Sequence, residues 1–209
     1  SYEEMLEMAS LGAKVMQPHS IQDARLNRID IAVKSSFVKN AGTLITKRKN
    51  ISNNKIITGI TSTKNDTKLT LVGVKDRPGV AASIFKPLSQ SSINVDMVVQ
   101  NTSANGKETD LTFTVKLDEL QKTSKLLKQN KNFKFKRLII DKNVSKVSII
   151  GVGMITTPGV TYRMFQTLAN KGINILVIST SEIKISVLIN KKNLKKAVYA
   201  LHKEFGLNL

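Results

Sequence analysis

Two polar segments of the sequence combine the groups that an amino-acid ligand needs. In the first, a Gly/Pro turn at residues 73–79 (GVKDRPG) joins an apolar run to a helix-like segment. Glycine lets backbone N–H groups approach a ligand closely, and a helix N-terminus attracts a carboxylate. Asp76, in the same turn, offers an acceptor for a ligand ammonium group. The turn therefore predicts a site for a zwitterion; the alternative is a Pro-Gly turn that only begins a helix.

The second polar segment is INVDMVVQN, residues 93–101. Its polar residues Asn94, Asp96 and Gln100 stand among apolar ones at even-numbered positions. Because side chains alternate between the two faces of a strand, we expect these three to point the same way. They could contact a ligand, or they could simply form a solvent-exposed polar face.

An internal repeat indicates the fold that positions these residues. Residues 67–101 resemble residues 145–181, and from Pro78 and Pro158 onward the two copies align without gaps at a spacing of 80. Each copy predicts a strand, a turn, a helix, two strands and a second helix. With one closing strand this order is the β-α-β-β-α-β, or ferredoxin-like, motif. The sequence thus predicts an α+β protein with two ferredoxin-like units.

The expected unit boundaries follow from this order. The first unit covers 64–141, closed by a strand within 133–140, and the second covers 145–209 but lacks a fourth strand. We expect the isolated strand 56–62 to supply it; the alternative is that 56–62 only extends a linker. Residues 1–50 form two short helices and a strand. They bury too little surface to fold alone and are expected to dock elsewhere.

Composition narrows the classes of protein further. The 209 residues carry a net charge of +18, but lysines supply 27 of the 33 cations and are scattered along the chain. This pattern favours a lysine-rich solvated surface over specific nucleic-acid binding. The chain contains no cysteine, which excludes disulfides and zinc–thiolate sites. Without a signal-like start or a membrane-spanning apolar run, a cytoplasmic protein is expected.

No set of residues in the sequence predicts catalysis. His19 and His202 lie in different segments, and no phosphate-binding loop or metal-ligand spacing occurs. A complete small enzyme is therefore disfavoured. An RNA-recognition module would need stacking aromatics on its central strands, where only Phe113 occurs. A ligand-binding regulatory module is favoured, with a basic ferredoxin-like RNA-binding protein as the alternative.

Longer runs of the sequence resemble one known family. SYEEMLEMASLGAKVMQPHSIQDARL, IDIAVKSSF and AGTLI resemble the last part of the catalytic domain of aspartate kinases. ITGITSTKNDTKLTLVGVKDRPGVAASIF, INVDMVVQN, GVGMITTPGVTYRMF, INILVISTSEIKISVLI and ALHKEF resemble the tandem ACT regulatory domains of the same family. The resemblance covers essentially the whole chain. It implies that residues 1–50 are the tail of an amino-acid kinase domain, followed by two ACT domains.

The resemblance also implies a function. The family phosphorylates the β-carboxylate of L-aspartate with ATP on the way to lysine, threonine and methionine, and lysine or threonine inhibit it by binding at ACT interfaces. ATP and Mg²⁺ are expected only in the kinase domain, whose phosphate loop this sequence lacks, and no cofactor is expected here. The expected partners are these effectors and a second copy or a catalytic chain, with no specific nucleic acid and no membrane. The implied effector residues are Asp76, Gly79, Ala81, Asn94, Val95, Asp96 and Gln100 in the first unit, and Val160, Thr161, Asn174, Ile175, Ser181 and Glu182 in the second.

Overall fold

The computed structural model describes residues 1–48, 55–102, 106–130 and 132–207. An N-terminal segment comes first. It contains the helices α1 (Tyr2–Ser10) and α2 (Pro18–Asn27), and a small antiparallel sheet of β1 (Ile31–Val33) and β2 (Thr43–Ile45). A small core around the buried Tyr2 and Ile21 holds the segment together.

The first unit is a four-stranded antiparallel sheet with two helices on one face. Its elements are β4 (Asp66–Lys75), α3 (Val80–Gln90), β5 (Asp96–Thr102), β6 (Glu108–Lys116), α4 (Leu120–Gln129) and β7 (Arg137–Asp141), with strand order β5-β6-β4-β7. Val80, Ile84 and Leu88 recur every four residues on α3, so one apolar stripe of the helix faces the sheet. The buried core of this unit includes Leu69 and Phe113 from the sheet.

The second unit repeats this plan. It consists of β8 (Val144–Ile150), α5 (Val160–Asn170), β9 (Ile175–Thr180), β10 (Lys184–Asn190) and α6 (Leu194–Glu204). Its fourth strand is β3 (Gly59–Thr63), which pairs antiparallel with β8 and gives the strand order β3-β8-β10-β9. The strand begins three residues later than the segment 56–62 suggested. The predicted fold class, α+β with two ferredoxin-like units, is confirmed.

A β-bulge in β5 changes which face its residues occupy. Asp96 pairs with Thr114 and Val99 pairs with Thr112, so three steps along β5 match two along β6. Met97 takes a positive φ of 49° inside this bulge. The extra residue reverses the alternation beyond it, and Gln100 pairs with the core residue Leu111 instead. The prediction that Asp96 and Gln100 point the same way is therefore wrong.

Helix α1 packs against the second unit, beside β3 and β8. Met8 of α1 lies over Gly59 at the start of β3, where a side chain on the strand would collide with it. Gly12, just beyond the helix, approaches the side chain of Thr63 at the other end of β3. Residues 1–50 were expected to dock elsewhere, but the N-terminal segment instead docks on the sheet that β3 completes.

Candidate functional site

A surface cleft of about 540 Å³ lies at the N-terminus of α5. It is formed by the loop before the helix, the first turn of the helix and the turn between β9 and β10. The lining residues are Met154, Ile155, Thr157, Pro158, Gly159, Val160, Thr161, Thr180, Ser181, Glu182 and Ile185. We call this the second-unit cleft. It brings together four of the predicted effector residues, two from the helix and two from the turn.

Local backbone geometry explains why α5 begins at the cleft. Gly159 has φ 87°, a left-handed conformation that a residue with a side chain adopts only at a cost. No side chain caps α5 at this end. The first N–H groups of a helix have no intrahelical acceptor, so those of Val160 and Thr161 are available to a ligand. The helix dipole adds partial positive charge there.

The two remaining walls are held by backbone hydrogen bonds. A 3₁₀ turn, Val152–Thr156, carries Met154 and Ile155 along one side. The β9–β10 turn forms the other side, where the Ser181 N–H donates to the Lys184 carbonyl at 2.8 Å. The two walls are joined by the Gly151 N–H, which donates to the Ile183 carbonyl at 3.0 Å. Main-chain hydrogen bonds therefore shape the β9–β10 turn and join the two walls.

The chemistry of the second-unit cleft suits a small zwitterion. The amides at the start of α5 can bind a carboxylate. The exposed carboxylate of Glu182 can accept hydrogen bonds from an ammonium group. Thr157 and Thr161 supply hydroxyl groups, and Ile185 supplies buried apolar surface. The family resemblance implied Glu182 and the helix start at Val160 and Thr161, but nothing in the sequence predicted the wall made by Met154 and Ile155.

The first unit has a related helix start but different surroundings. Gly79 has φ 82° at the beginning of α3, and Ala81 follows in the first turn. The Asp76 N–H donates to the Lys107 carbonyl at 3.0 Å, which places the turn beside the β5–β6 connection. Residues 103–105 of that connection lie outside the described part of the chain. A cleft of about 240 Å³ lies nearby, lined by Val74, Lys75, Arg77, Val80, Asn132, Phe133 and Lys134.

Six of the seven predicted first-unit residues fall into two groups at opposite ends of the sheet, and Gln100 lies between them, level with Leu71 of β4 through its pairing with Leu111. Asp96 and Lys68 both pair with Thr114, so Asp96 lies level with the start of β4. Asp76 comes eight residues after Lys68, which corresponds to roughly 25 Å along a strand. A single amino acid bound at Gly79 in one copy therefore cannot also reach Asp96. Asn94 and Val95, just before β5, lie at the Asp96 end.

The second unit divides in the same way. Asn174 and Ile175 lie where β9 begins, at the far end from the cleft. Ile175 packs against the second-unit core, and Asn174 is exposed. In each unit, one group of predicted residues lies at the start of the helix, and the other group lies beyond the C-terminal end of that helix, where the next strand begins. A ligand that touches both groups must be shared between two units.

Asp96 carries an ion pair between the two units. Its carboxylate accepts a hydrogen bond from the ammonium group of Lys146 on β8, and also one from the Met97 N–H at 2.8 Å. The Lys146 side chain is only 6% exposed, whereas that of Asp96 is 52% exposed. Burial alone would raise the pKa of Asp96, but the hydrogen bond and positive charge of Lys146 outweigh it and lower the pKa. Sequence reasoning did not pair these two residues.

The structure does not support RNA binding through Phe113, the one aromatic residue that the sequence placed on a central strand. Phe113 is fully buried and lies edge-on to Phe85, with 5.3 Å between the ring centroids. It faces the helices, so it cannot stack on a base. The opposite face of the first sheet instead carries Thr70 and Thr112, whose hydroxyls hydrogen-bond to each other at 2.9 Å.

Residues 1–48, 55–102, 106–130 and 132–207 contain several helices and scattered titratable side chains. No helix in them is long and apolar enough to cross a membrane. No group of three or more His, Cys, Asp or Glu side chains among them is arranged to hold a metal ion.

Comparison with known proteins places the chain in a family. The family model for the ACT domain matches residues 69–130 and 147–205. An aspartokinase from Pseudomonas aeruginosa is 46% identical over 211 residues, covering all of this chain and 51% of the relative. This chain thus spans about half the length of the curated relatives it matches.

Solved structures agree with this assignment. The regulatory subunit of aspartate kinase from Thermus thermophilus, in a ligand-free form, is 36% identical with a TM-score of 0.67, over 72% of this chain and 99% of that one. E. coli aspartokinase III in complex with lysine and aspartate is 25% identical with a TM-score of 0.75, over 98% of this chain and 45% of that one. Together with the two repeated units, these matches show that the chain belongs to the aspartokinase family and contains the tandem ACT domains of its regulatory region.

Proposed function

We propose that this chain binds lysine, threonine or both, and thereby controls the phosphorylation of L-aspartate by a cytoplasmic aspartate kinase. The observation that carries the proposal is the second-unit cleft, where helix amides lie close to a carboxylate. In this proposal ATP and Mg²⁺ act in a catalytic domain outside this chain.

The cleft supports an α-amino acid more than another anion. A phosphate or a simple carboxylic acid would use the amides of α5 but would be repelled by Glu182. An α-amino acid satisfies both groups, because its carboxylate and its ammonium group are bonded to the same Cα atom and therefore lie close together. A charge-assisted hydrogen bond contributes about 1.5–3 kcal/mol, so losing the ammonium contact should weaken binding roughly tenfold or more.

The division of the predicted residues supports a shared site. Asn174 and the α5 N-terminus cannot contact one ligand within a single unit. A second ACT unit placed alongside, in this chain or in another copy, would present its Asn94- or Asn174-bearing end to the cleft. The proposal therefore includes a dimer, or a complex with a catalytic aspartate kinase chain, as the state in which the site is complete.

Calorimetric titration of the chain with lysine and with threonine tests the proposal. We expect at least one of them to bind, and Glu182→Gln to weaken that binding about tenfold. Asp118→Asn, which removes an exposed carboxylate in the first unit, is the matched control and should leave the affinity unchanged. Failure of both amino acids to bind at millimolar concentration, with the chain folded and dimeric, would reject the proposed function.

A further inference from the structure

Helix α1 contacts both walls of the second-unit cleft through two carboxylates. Glu4 is 2% exposed, and its Oε1 accepts a hydrogen bond from the Val152 N–H at 2.9 Å. Val152 is the first residue of the 3₁₀ turn that forms one wall. Residues 4 and 152 are far apart in the sequence, so this contact ties the N-terminal segment directly to the cleft.

The second carboxylate holds the opposite wall. Glu7 lies one helical turn after Glu4, on the same face of α1. Its Oε2 is 3.2 Å from the ammonium group of Lys184. Lys184 ends the β9–β10 turn, and its carbonyl accepts the hydrogen bond from Ser181 that shapes this turn. A shift of α1 would therefore act on both sides of the cleft.

The buried carboxylate of Glu4 has a hydrogen-bond partner for each of its oxygens, one of them the Val152 N–H. A buried carboxylate without partners is costly, and Glu4 is matched by the Val152 N–H and by Ser1, whose hydroxyl donates to Oε2 at 2.9 Å. Gly151, beside this contact, has no room for a side chain because the Ile56 backbone lies against it. The 3₁₀ turn is thus fixed between Glu4 and residue 56, with little freedom to move independently of α1.

From these contacts we propose that Glu4 and Glu7 are positioning residues for the second-unit cleft, and that α1 reports whether the cleft is occupied. A ligand that displaces either wall must move α1 or break one of the two contacts. Conversely, a displacement of α1 changes the cleft. The first half of the proposal, the positioning of the cleft by Glu4 and Glu7, concerns the chain alone. The second half, the response of α1 to a bound ligand, rests on the proposed function.

Hydrogen exchange of the ligand-free chain tests the first half. In Glu4→Ala the amides of Val152–Thr156 lose their anchor and should exchange at least about tenfold faster than in the parent. Glu4→Gln should restore most of the protection, because an amide oxygen still accepts the Val152 N–H. Glu7→Gln should speed exchange in residues 181–184. The proposal would be overturned if exchange were unchanged in Val152–Thr156 of Glu4→Ala and in residues 181–184 of Glu7→Gln.

Glu3→Gln is the matched control, because it removes the same charge from the same helix. Glu3 pairs with Arg25 inside the N-terminal segment, at 3.6 Å, so this variant should leave both walls unchanged. Equal acceleration in Glu3→Gln would show a general effect of loosening α1 and would also overturn the assignment.

Calorimetry and exchange with ligand test the second half. For an amino acid that binds the parent, we expect about fivefold weaker binding to Glu4→Ala and slower exchange in α1 of the parent on saturation. Parent-like affinity together with unchanged exchange in α1 would overturn the reporting role. If no amino acid binds the parent, the proposed function and this reporting role both fail, whereas the exchange of the ligand-free walls still decides the positioning role.

Discussion

The ion pair between Asp96 and Lys146 makes a quantitative prediction about how the two units are held together. Breaking a fully buried pair by removing one partner costs about 3–5 kcal/mol, whereas an exposed pair contributes about 0–1 kcal/mol. Here Lys146 is almost completely buried and Asp96 is half exposed. Asp96→Asn keeps the acceptor for the Met97 N–H but leaves the Lys146 ammonium without its counter-charge. We expect it to lower the free energy of unfolding by about 2 kcal/mol, between those limits.

The double variant Asp96→Asn, Lys146→Met separates the stranded charge from the loss of contact. Methionine keeps the apolar stem and removes the ammonium group, so the double variant should recover at least about 1 kcal/mol over the single one. Urea denaturation at neutral pH measures these free energies of unfolding, and hydrogen exchange of the β5 and β8 amides provides a second measurement at the ion pair. Glu204→Gln, which breaks an exposed pair with Arg163, is the control and should cost less than about 1 kcal/mol. If the single variant lies within about 0.5 kcal/mol of the parent, or if the double variant is as unstable as the single one, the unpaired Lys146 charge does not destabilise the fold as proposed.

Two further predictions concern stability. The pKa of Glu4 lies below its ordinary value, because the hydrogen bond from the Val152 N–H and contacts with Ser1 outweigh the opposing effect of burial. Since Asp96 also has a lowered pKa, both carboxylates stabilise the fold above their unfolded pKa values of about 4. The free energy of unfolding should therefore fall as the pH drops below about 4, more steeply in the parent than in Glu4→Gln, and identical pH profiles would contradict this. Gly151→Ala should destabilise the second unit by about 3 kcal/mol, since its Cβ would overlap the Ile56 carbonyl, whereas Gly159→Ala meets no atom and should cost about 1 kcal/mol; equal melting temperatures would refute the difference.

Much of the fold was predictable because the repeat supplies two independent readings of one pattern. The apolar stripe of α3 and that of α5 recur at the same spacing, and both helices follow a Gly that adopts a positive φ. Strand boundaries moved by only a few residues, as for β3 at Gly59–Thr63. Periodicity and turn chemistry are local properties, so one sequence carries them.

The sequence did not predict the bulge in β5. Nothing in DMVV distinguishes a bulged strand from a regular one, because the extra residue at Met97 is defined by its pairing with β6. The consequence was an incorrect shared face for Asp96 and Gln100. Strand register depends on the partner strand, which a local pattern cannot specify.

Part of the second-unit cleft was also outside the reach of sequence reasoning. The repeat has three residues between Gly73-Val74 and Pro78, but five between Gly151-Val152 and Pro158. Those two extra residues are the only sequence signal for the wall that contains Met154 and Ile155. The contact from Glu4 to Val152 and the pair of Asp96 with Lys146 join distant segments through single side chains. Such contacts depend on how units dock, and no spacing in the chain encodes them.

Binding of an amino acid at the start of α5 can be located by an NMR titration of the ¹⁵N-labelled chain with threonine and with lysine. We expect saturable shifts for the amides of Val160, Thr161 and Glu182, and a half-saturation concentration about tenfold higher in Glu182→Gln. Saturable binding without shifts in α5 or in the β9–β10 turn would contradict binding at this site.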